Sequence, residues 1–132
     1  MKKQFLNPPA SSKPTGYTHV VTAEGGKIVY ISGQVALDSK GEIVGKNDLR
    51  EQAEQVYKNL KVALDTAGAT FNDVVKMNIY LVDYNPKDLP IIREVRSKYL
   101  SDEALPASTL IGVQSLFLDG LLIEIEAIAL VD

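Results

Sequence analysis

The chain has 132 residues, of which 45% are hydrophobic and 23% charged, and this length and composition predict one globular domain, residues 1–132. The absence of cysteine excludes disulfides and thiolate sites, and the presence of only one histidine, His19, argues against a metal centre. A formal net charge of -3 at pH 7, without a block rich in Lys and Arg, argues against nucleic acid as a partner.

Residues 1–16 are expected to form an extended lead-in to the domain. Residues 7–16 are rich in Pro, Ser and Gly, which favour turns and extended chain over regular elements. The preceding residues contain no sustained apolar run of the kind found in a secretory signal. The sequence also has no stretch of about 18 apolar residues that would span a membrane. We therefore expect a cytoplasmic protein without a membrane partner.

Two strands are predicted after the lead-in. Residues 17–23 are rich in β-branched side chains, and residues 27–35 follow a glycine-rich turn, so the two strands are expected to pair as a hairpin. One face of the second strand is apolar, whereas the other becomes polar at Ser32. Gly33 comes next and allows another backbone or a ligand to approach the strand closely.

An amphipathic helix is predicted next. It begins near Asn47 or Asp48, either of which offers an N-cap, and ends at Gly68. Apolar residues recur at spacings of three and four, which places them on one stripe that faces the core. The members of this stripe are Leu49, Ala53, Val56, Leu60, Ala63 and Ala67. The opposite face is charged and is expected to be solvated.

The second half of the chain predicts a strand, a helix and two further strands. Residues 74–82 alternate as a strand, and a helix is expected over residues 88–100 because Pro90 is tolerated only in a first helical turn. Strands are expected at residues 108–116 and 121–131. The resulting order, β-β-α-β-α-β-β, predicts an α+β fold.

The last predicted strand carries two carboxylates on one face. Alternation places Glu124 and Glu126 together, between apolar residues at both ends of that face. Glutamate is seldom buried without a partner, so at least one of the two is expected to meet a cation, a cleft or a neighbouring subunit. A glutamate among apolar groups has a raised pKa, which suits a general acid or base. A solvated sheet face is the alternative interpretation.

Two arginines are neighbours on the second predicted helix. Arg93 and Arg96 are three residues apart and therefore share a helix face. Guanidinium groups in this arrangement can bind a carboxylate or a phosphate through paired hydrogen bonds. The alternative is a solvated pair that forms salt bridges with Asp88 or Glu94.

Five segments of the sequence, in this order, together resemble the YjgF/Rid family of reactive intermediate deaminases, also labelled L-PSP endoribonucleases. They are Ile31-Ser32-Gly33-Gln34-Val35, Asn59-Leu60-Lys61-Val62-Ala63-Leu64 with Ala67-Gly68-Ala69, Asp73-Val74-Val75-Lys76, Leu105-Pro106-Ala107, and Ile123-Glu124-Ile125-Glu126-Ala127-Ile128-Ala129. The resemblance implies a chorismate-mutase-like fold with two helices packed on one mixed sheet. It also implies a homotrimer whose sheets form a central barrel, with a cleft for a small-molecule ligand between each pair of subunits.

The resemblance further implies a function and a set of site residues. Enzymes of this family hydrolyse reactive enamines and imines, such as 2-aminoacrylate, to a 2-oxo acid and ammonia, without a metal or a cofactor. The implied activity is that of a 2-iminobutanoate/2-iminopropanoate deaminase-like hydrolase. By resemblance, Glu124 positions or activates the water, Tyr17, Ser32 and Gly33 line the cleft, and the loop at Pro106 helps to hold substrate or water.

One departure from the family pattern bears on the reaction. The family signature Pro-Ala-Arg, whose arginine anchors the substrate carboxylate, reads Pro106-Ala107-Ser108 in this chain. A serine hydroxyl can donate one neutral hydrogen bond but cannot make the paired, charge-assisted contact of an arginine. Arg96 is a candidate replacement that reaches the cleft from the helix. A non-catalytic trimer that binds or senses a small molecule is the alternative function, and a ribonuclease or translation inhibitor is the less favoured third.

Overall fold

The structure is a computed structural model that describes residues 2–132, and Met1 lies outside the described residues. The elements are β1 (Lys2–Leu6), β2 (Val20–Glu24), β3 (Lys27–Val35), α1 (Leu49–Thr66), β4 (Val74–Val82), α2 (Leu89–Ser97), β5 (Ala107–Val113) and β6 (Ile123–Val131), with 3-10 turns at Phe71–Asp73 and Pro86–Asp88. No helix within residues 2–132 is both long and apolar enough to cross a lipid bilayer.

The main sheet is mixed and has four strands in the order β3-β6-β4-β5. β6 lies in the middle and pairs antiparallel with both β3 and β4, whereas the edge strand β5 runs parallel to β4. The parallel pair follows from the connection, because α2 carries the chain back across the sheet between β4 and β5. β1 and β2 form a separate two-stranded antiparallel sheet. The α+β class with two helices on a mixed sheet is confirmed.

Two expectations for the beginning of the chain were wrong. Residues 1–16 are not only a lead-in, because β1 pairs with β2 along its whole length. Its inward-facing Lys3 also forms an ion pair of 3.2 Å with Asp73. The predicted hairpin of β2 with β3 does not form, since β3 pairs with β6 instead. Strand composition identifies strands, but a partner from the other end of the chain decides the pairing.

The hydrophobic core lies between the helices and one face of the main sheet. Ala53, Val56 and Leu60 of α1 are fully buried, as the apolar stripe predicted. Tyr57 and Leu64 are buried as well, while the two ends of the predicted stripe are only partly covered. The buried face of α1 is therefore turned slightly from the predicted one, and the opposite face of the sheet is left without a helix.

Gln52 is a buried polar side chain that joins three segments of the fold. It is fully buried, and its Nε2 donates to the carbonyl oxygens of Gly45 at 3.1 Å and Gly120 at 3.0 Å. Its Oε1 accepts from the backbone N–H of Leu122 at 2.8 Å. This one side chain therefore fixes the entry into β6, two residues before Glu124.

We expect Gln52→Leu to lower the free energy of unfolding by about 3 kcal/mol or more, because three buried backbone groups each lose a partner at about 1–3 kcal/mol. Chemical denaturation of the purified variant measures this loss. Gln55→Leu is the matched control on the same helix, since the Gln55 side chain makes a single hydrogen bond within residues 2–132, to Asn59. Equal losses in the two variants would contradict the role given to Gln52.

Candidate functional site

Glu124 lies on the face of the main sheet that the helices leave uncovered. On β6, Ile123 and Ile125 are fully buried towards the helices, and Glu124 and Glu126 alternate with them. The partner of Glu124 across the strands is Tyr80 of β4, and the partner of Glu126 is Asn78. We call this open side, with Ser32, Gly33, Glu124 and Glu126, the carboxylate face.

Gly33 brings the backbone of β3 directly against the Glu124 side chain. The register between β3 and β6 shifts between Ile31 and Gln34, so Ser32 and Gly33 form a bulge. A Cβ atom at Gly33 would lie 1.9 Å from Oε2 of Glu124. Only glycine therefore fits while the carboxylate keeps this position. The sequence predicted a close approach at Gly33, and the structure identifies the approaching group as Glu124.

The two carboxylates of this face differ in their affinity for protons. Burial raises the pKa of Glu124, and the negative charge of Glu126 raises it further. The pKa of Glu126 is lowered, because the Tyr80 hydroxyl donates to its Oε1 at 2.5 Å and the Asn78 amide donates to the same oxygen at 2.9 Å. Glu124 is therefore the carboxyl suited to proton exchange, and Glu126 is the fixed anion.

A second group of the predicted residues lines a cavity of about 150 Å³ on the helix side of the sheet. Tyr17, Ser108 and Arg96 all lie in its wall. Ser108 pairs with Met77, a core residue, which places the serine on the helix side of β5. The remaining wall is mainly apolar and is formed by Ile79, Leu89, Ile92 and Leu110, with Thr15 and Arg93 at the same cavity. We call this space the arginine cavity.

The two arginines differ in their partners. Arg93 donates from Nη2 to the Thr15 hydroxyl at 3.2 Å. The Arg96 side chain is half-buried, and its guanidinium makes no hydrogen bond or ion pair within residues 2–132. Burial lowers the pKa of Arg96, although an arginine remains protonated. Within the described residues, neither arginine forms a salt bridge with Asp88 or Glu94, since Glu94 pairs with Arg50 at 2.9 Å and Asp88 accepts from the backbone N–H of Asn85 at 3.1 Å.

The backbone of Gly16 packs against the guanidinium of Arg96. A Cβ atom at Gly16 would lie 1.9 Å from Nη2, and the φ angle of Gly16 is +81°, in the region that favours glycine. The segment that carries Tyr17 therefore forms one wall of the arginine cavity.

Thr18, which the sequence did not single out, anchors that segment. It is buried, with 5% of its surface exposed, and its hydroxyl donates to the Leu105 carbonyl at 2.6 Å. Its backbone N–H donates to the Pro106 carbonyl at 3.1 Å. The Pro106 backbone thus holds the strand entry next to Tyr17. The sequence placed Thr18 inside a predicted strand, residues 17–23, whereas β2 begins at Val20, and a threonine in a strand carries no sequence signal for such a role.

The predicted site residues therefore form two groups on opposite sides of one sheet. Glu124, Ser32 and Gly33 lie on the carboxylate face, whereas Tyr17, Ser108 and Arg96 lie at the arginine cavity. A single chain does not present both groups to one small molecule. Within residues 2–132, no three His, Asp or Glu side chains come together in a way that could hold a metal ion.

The chain is thus a small α+β domain, with two helices on one face of a mixed sheet and Gly33 packed against Glu124 on the other. A family model described as Endoribonuclease L-PSP matches residues 9–131, and the chain belongs to this family, the YjgF/Rid family.

Individual relatives agree with this assignment. A RutC family protein of Pyrococcus abyssi is 40% identical over 131 residues, which cover 98% of each chain. The 2-iminobutanoate/2-iminopropanoate deaminase of Mus musculus is 39% identical over 92% of this chain and 84% of the mouse protein. A crystal structure of a Rid-family protein of unknown function from Yersinia pestis superposes with a TM-score of 0.93 at 40% identity, over 99% of this chain and 100% of that chain. The predicted family and fold are thus confirmed.

We expect Gly33→Ala to displace Glu124 while the chain still folds, because the new Cβ meets the mobile end of a side chain and not backbone. The carboxylate then moves towards water, and the pKa of Glu124 falls towards its ordinary value. Carboxyl-carbon NMR titration measures the pKa, and thermal melting checks the fold. Ser32→Ala, at the exposed neighbouring residue, is the control and should leave the Glu124 titration unchanged. An unshifted Glu124 in Gly33→Ala would refute the packing argument.

Proposed function

We propose that this protein is a deaminase-like hydrolase for a small reactive imine or enamine, with a site completed between two subunits. The observation that carries the proposal is the division of the site. A glutamate with a raised pKa lies on one face of the sheet, and on the other lies an arginine that makes no ion pair with the described residues 2–132. Acid–base chemistry on an anionic substrate needs both groups, and a second subunit would supply the missing one.

Exposed apolar side chains on the open face of the sheet support an oligomer. Tyr30, Ile28 and Ile111 are 74%, 55% and 45% exposed. Their strand partners place them on the side of Glu124 and away from the helices. Covering such a patch with another subunit removes apolar surface from water. In the proposed homotrimer the open faces form a central barrel, and each arginine cavity lies beside the carboxylate face of a neighbour.

The proposed reaction converts a 2-imino acid and water to a 2-oxo acid and ammonia. Ionised Glu124 takes a proton from a water molecule as the water oxygen bonds to the carbon of the protonated imine, which gives a neutral carbinolamine. Glu124 then donates that proton to nitrogen. As the C–N bond breaks, the carbinolamine hydroxyl becomes the carbonyl of the 2-oxo acid, and its proton passes through Glu124 to the departing ammonia, which leaves Glu124 ionised again. A raised pKa suits this exchange, because both forms of the carboxyl are then accessible closer to neutral pH.

Binding of the substrate carboxylate is assigned to Arg96. Its guanidinium packs against Gly16 and makes no hydrogen bond or ion pair within residues 2–132, so it can form charge-assisted hydrogen bonds to an anion. The hydroxyls of Tyr17 and Ser108 share the cavity and can orient the remaining polar atoms. Ser108 alone cannot replace the family arginine.

A trimer that binds a small molecule without converting it is the second candidate. Ser108 favours it, since the family residue that anchors a substrate carboxylate is absent from β5. Ribonuclease activity, which the description of the family model names, is less favoured, because the net charge of -3 offers little attraction for a phosphate backbone.

We expect the wild-type protein to accelerate ammonia release from imines that an amino-acid oxidase or a PLP enzyme generates in the assay. Glu124→Gln should reduce the rate about 100- to 10,000-fold, the range for loss of a general acid–base group. Arg96→Ala should reduce kcat/KM about 10- to 100-fold, the loss of about 1.5–3 kcal/mol from a charged hydrogen bond. Arg50→Ala removes an arginine outside the cavity and is the matched control.

The same variants separate the two candidate functions. Binding of stable 2-oxo acids, weakened by Arg96→Ala, together with no acceleration of imine hydrolysis by the wild type, would favour the binding protein. No acceleration and no binding would reject both functions at this site.

We expect light scattering after gel filtration to give three times the mass of the 14.4 kDa chain. Tyr30→Asp should dissociate the assembly, because it places a charge in an apolar contact. Val62→Asp on α1 is the matched control, since Val62 is also exposed, at 65%, but lies outside the open sheet face. A monomeric wild type would reject the shared site.

A further inference from the structure

Glu126 lies two residues after Glu124 on the same face of β6, and β4 holds its side chain in place. Tyr80 and Asn78 both donate to its Oε1, at 2.5 and 2.9 Å. Tyr80 is at the same time the cross-strand partner of Glu124. The Tyr80 side chain therefore leans from the position opposite Glu124 to the carboxylate of Glu126. This geometry fixes a negative charge beside Glu124.

No cation on the packed elements is paired with Glu124. On β6 the charged neighbour is Glu126, and on β4 the titratable groups of the open face are Tyr80 and the more distant Lys76. Lys76 donates to the Thr109 hydroxyl at 3.0 Å. At the bulge, β3 contributes the neutral residues 32–34, and β5 contains no titratable side chain. Among these described elements of one subunit, Glu124 thus faces a fixed anion without a compensating charge.

We propose that Glu126 is a positioning residue of the reaction, which keeps Glu124 protonated until the leaving nitrogen takes the proton. The proposal rests on the proposed deaminase-like function and adds a second, non-reacting carboxylate to it. Glu126 itself touches neither substrate nor water in this scheme. Glu126 acts through its negative charge, and the hydrogen bonds from Tyr80 and Asn78 keep its carboxylate ionised.

The physical reason is the repulsion between like charges at neighbouring positions of one face. An ionised Glu126 makes ionisation of Glu124 less favourable, so the pKa of Glu124 rises. Hydrogen bonds to the charged form of Glu126 have the opposite effect on its own pKa. Two carboxyls whose environments move their pKa values apart divide the roles of acid and fixed charge. The covering backbone at Gly33 adds to the effect by excluding water from Glu124.

The test replaces the charge and keeps the shape. Glu126→Gln retains an oxygen that accepts from Tyr80 and Asn78 but carries no charge. We expect the pKa of Glu124, followed by carboxyl-carbon NMR titration, to fall, because the repulsion from the Glu126 charge is removed while the burial of Glu124 remains. The limb of the pH–rate profile that reports Glu124 should move to lower pH by the same amount. Glu126→Asp, which keeps the charge, should restore values near those of the wild type.

A third variant keeps the proposal testable if Glu126→Gln assembles poorly. Tyr80→Phe leaves both carboxylates in place and removes one donor to Glu126, so the pKa of Glu126 should rise and the gap between the two titrations should narrow. Equal Glu124 titrations in the wild type and Glu126→Gln would overturn the proposal. A shifted titration with an unmoved pH–rate limb would overturn it as well. The titration needs no substrate, so a wild type that lacks deaminase activity would reject the function without deciding whether Glu126 tunes Glu124.

Discussion

The register of β6 is the constraint on which the rest of the structure depends. Ile123, Ile125 and Ala129 are fully buried on the helix side, and these apolar contacts fix which residues of the strand face the core. A slip of one residue would move Glu124 and Glu126 under the helices and would expose the isoleucines. Pairing with both β3 and β4 reinforces the register, and the Gln52 clamp at Leu122 holds its beginning. The carboxylate face is thus a consequence of core packing.

The same face favours different protonation states for its two acids. The pKa of Glu124 is higher in the folded state than in the unfolded state. The contribution of Glu124 to stability is therefore fully present at a pH below the unfolded pKa, and it is lost as pH rises through the folded pKa. The lowered pKa of Glu126 acts in the opposite sense, since its contribution is present above the unfolded value and is lost as pH falls through the folded one. Near neutral pH, the ionisation of Glu124 therefore lowers the free energy of unfolding, as is common at functional positions.

The sequence was sufficient where local pattern decides structure. The predicted strands 27–35 and 74–82 coincide with β3 and β4, because alternation and flanking turns define them. β1 was missed because its stability comes from β2 and from the Lys3–Asp73 ion pair, neither of which is visible in residues 2–6. Gln52 was missed for a related reason, since a polar residue on a helix is usually solvated, and only the distant Gly120 loop shows why it is buried.

The candidate site was predictable in its members and not in its arrangement. Alternation within a strand shows that Glu124 and Glu126 share a face, but it does not show on which side of the sheet Ser108 lies. That depends on the pairing of β5 with β4 and on α2, which covers only one side. The division of the site between two sides follows from topology, and a pattern along one strand contains no information about it.

The unpaired arginine connects these observations. The half-buried guanidinium of Arg96 has lost part of its hydration. Within residues 2–132, no hydrogen bond or ion pair replaces the lost contacts with water. Folding alone gives no reason to keep such a group, because an apolar side chain of similar size would cost less to bury. Gly16, with its φ angle of +81°, is nevertheless fitted to the space above Nη2. An anion bound to the Arg96 guanidinium would explain both the restricted conformation of Gly16 and the burial of the cation. The proposed function assigns this contact to the substrate carboxylate.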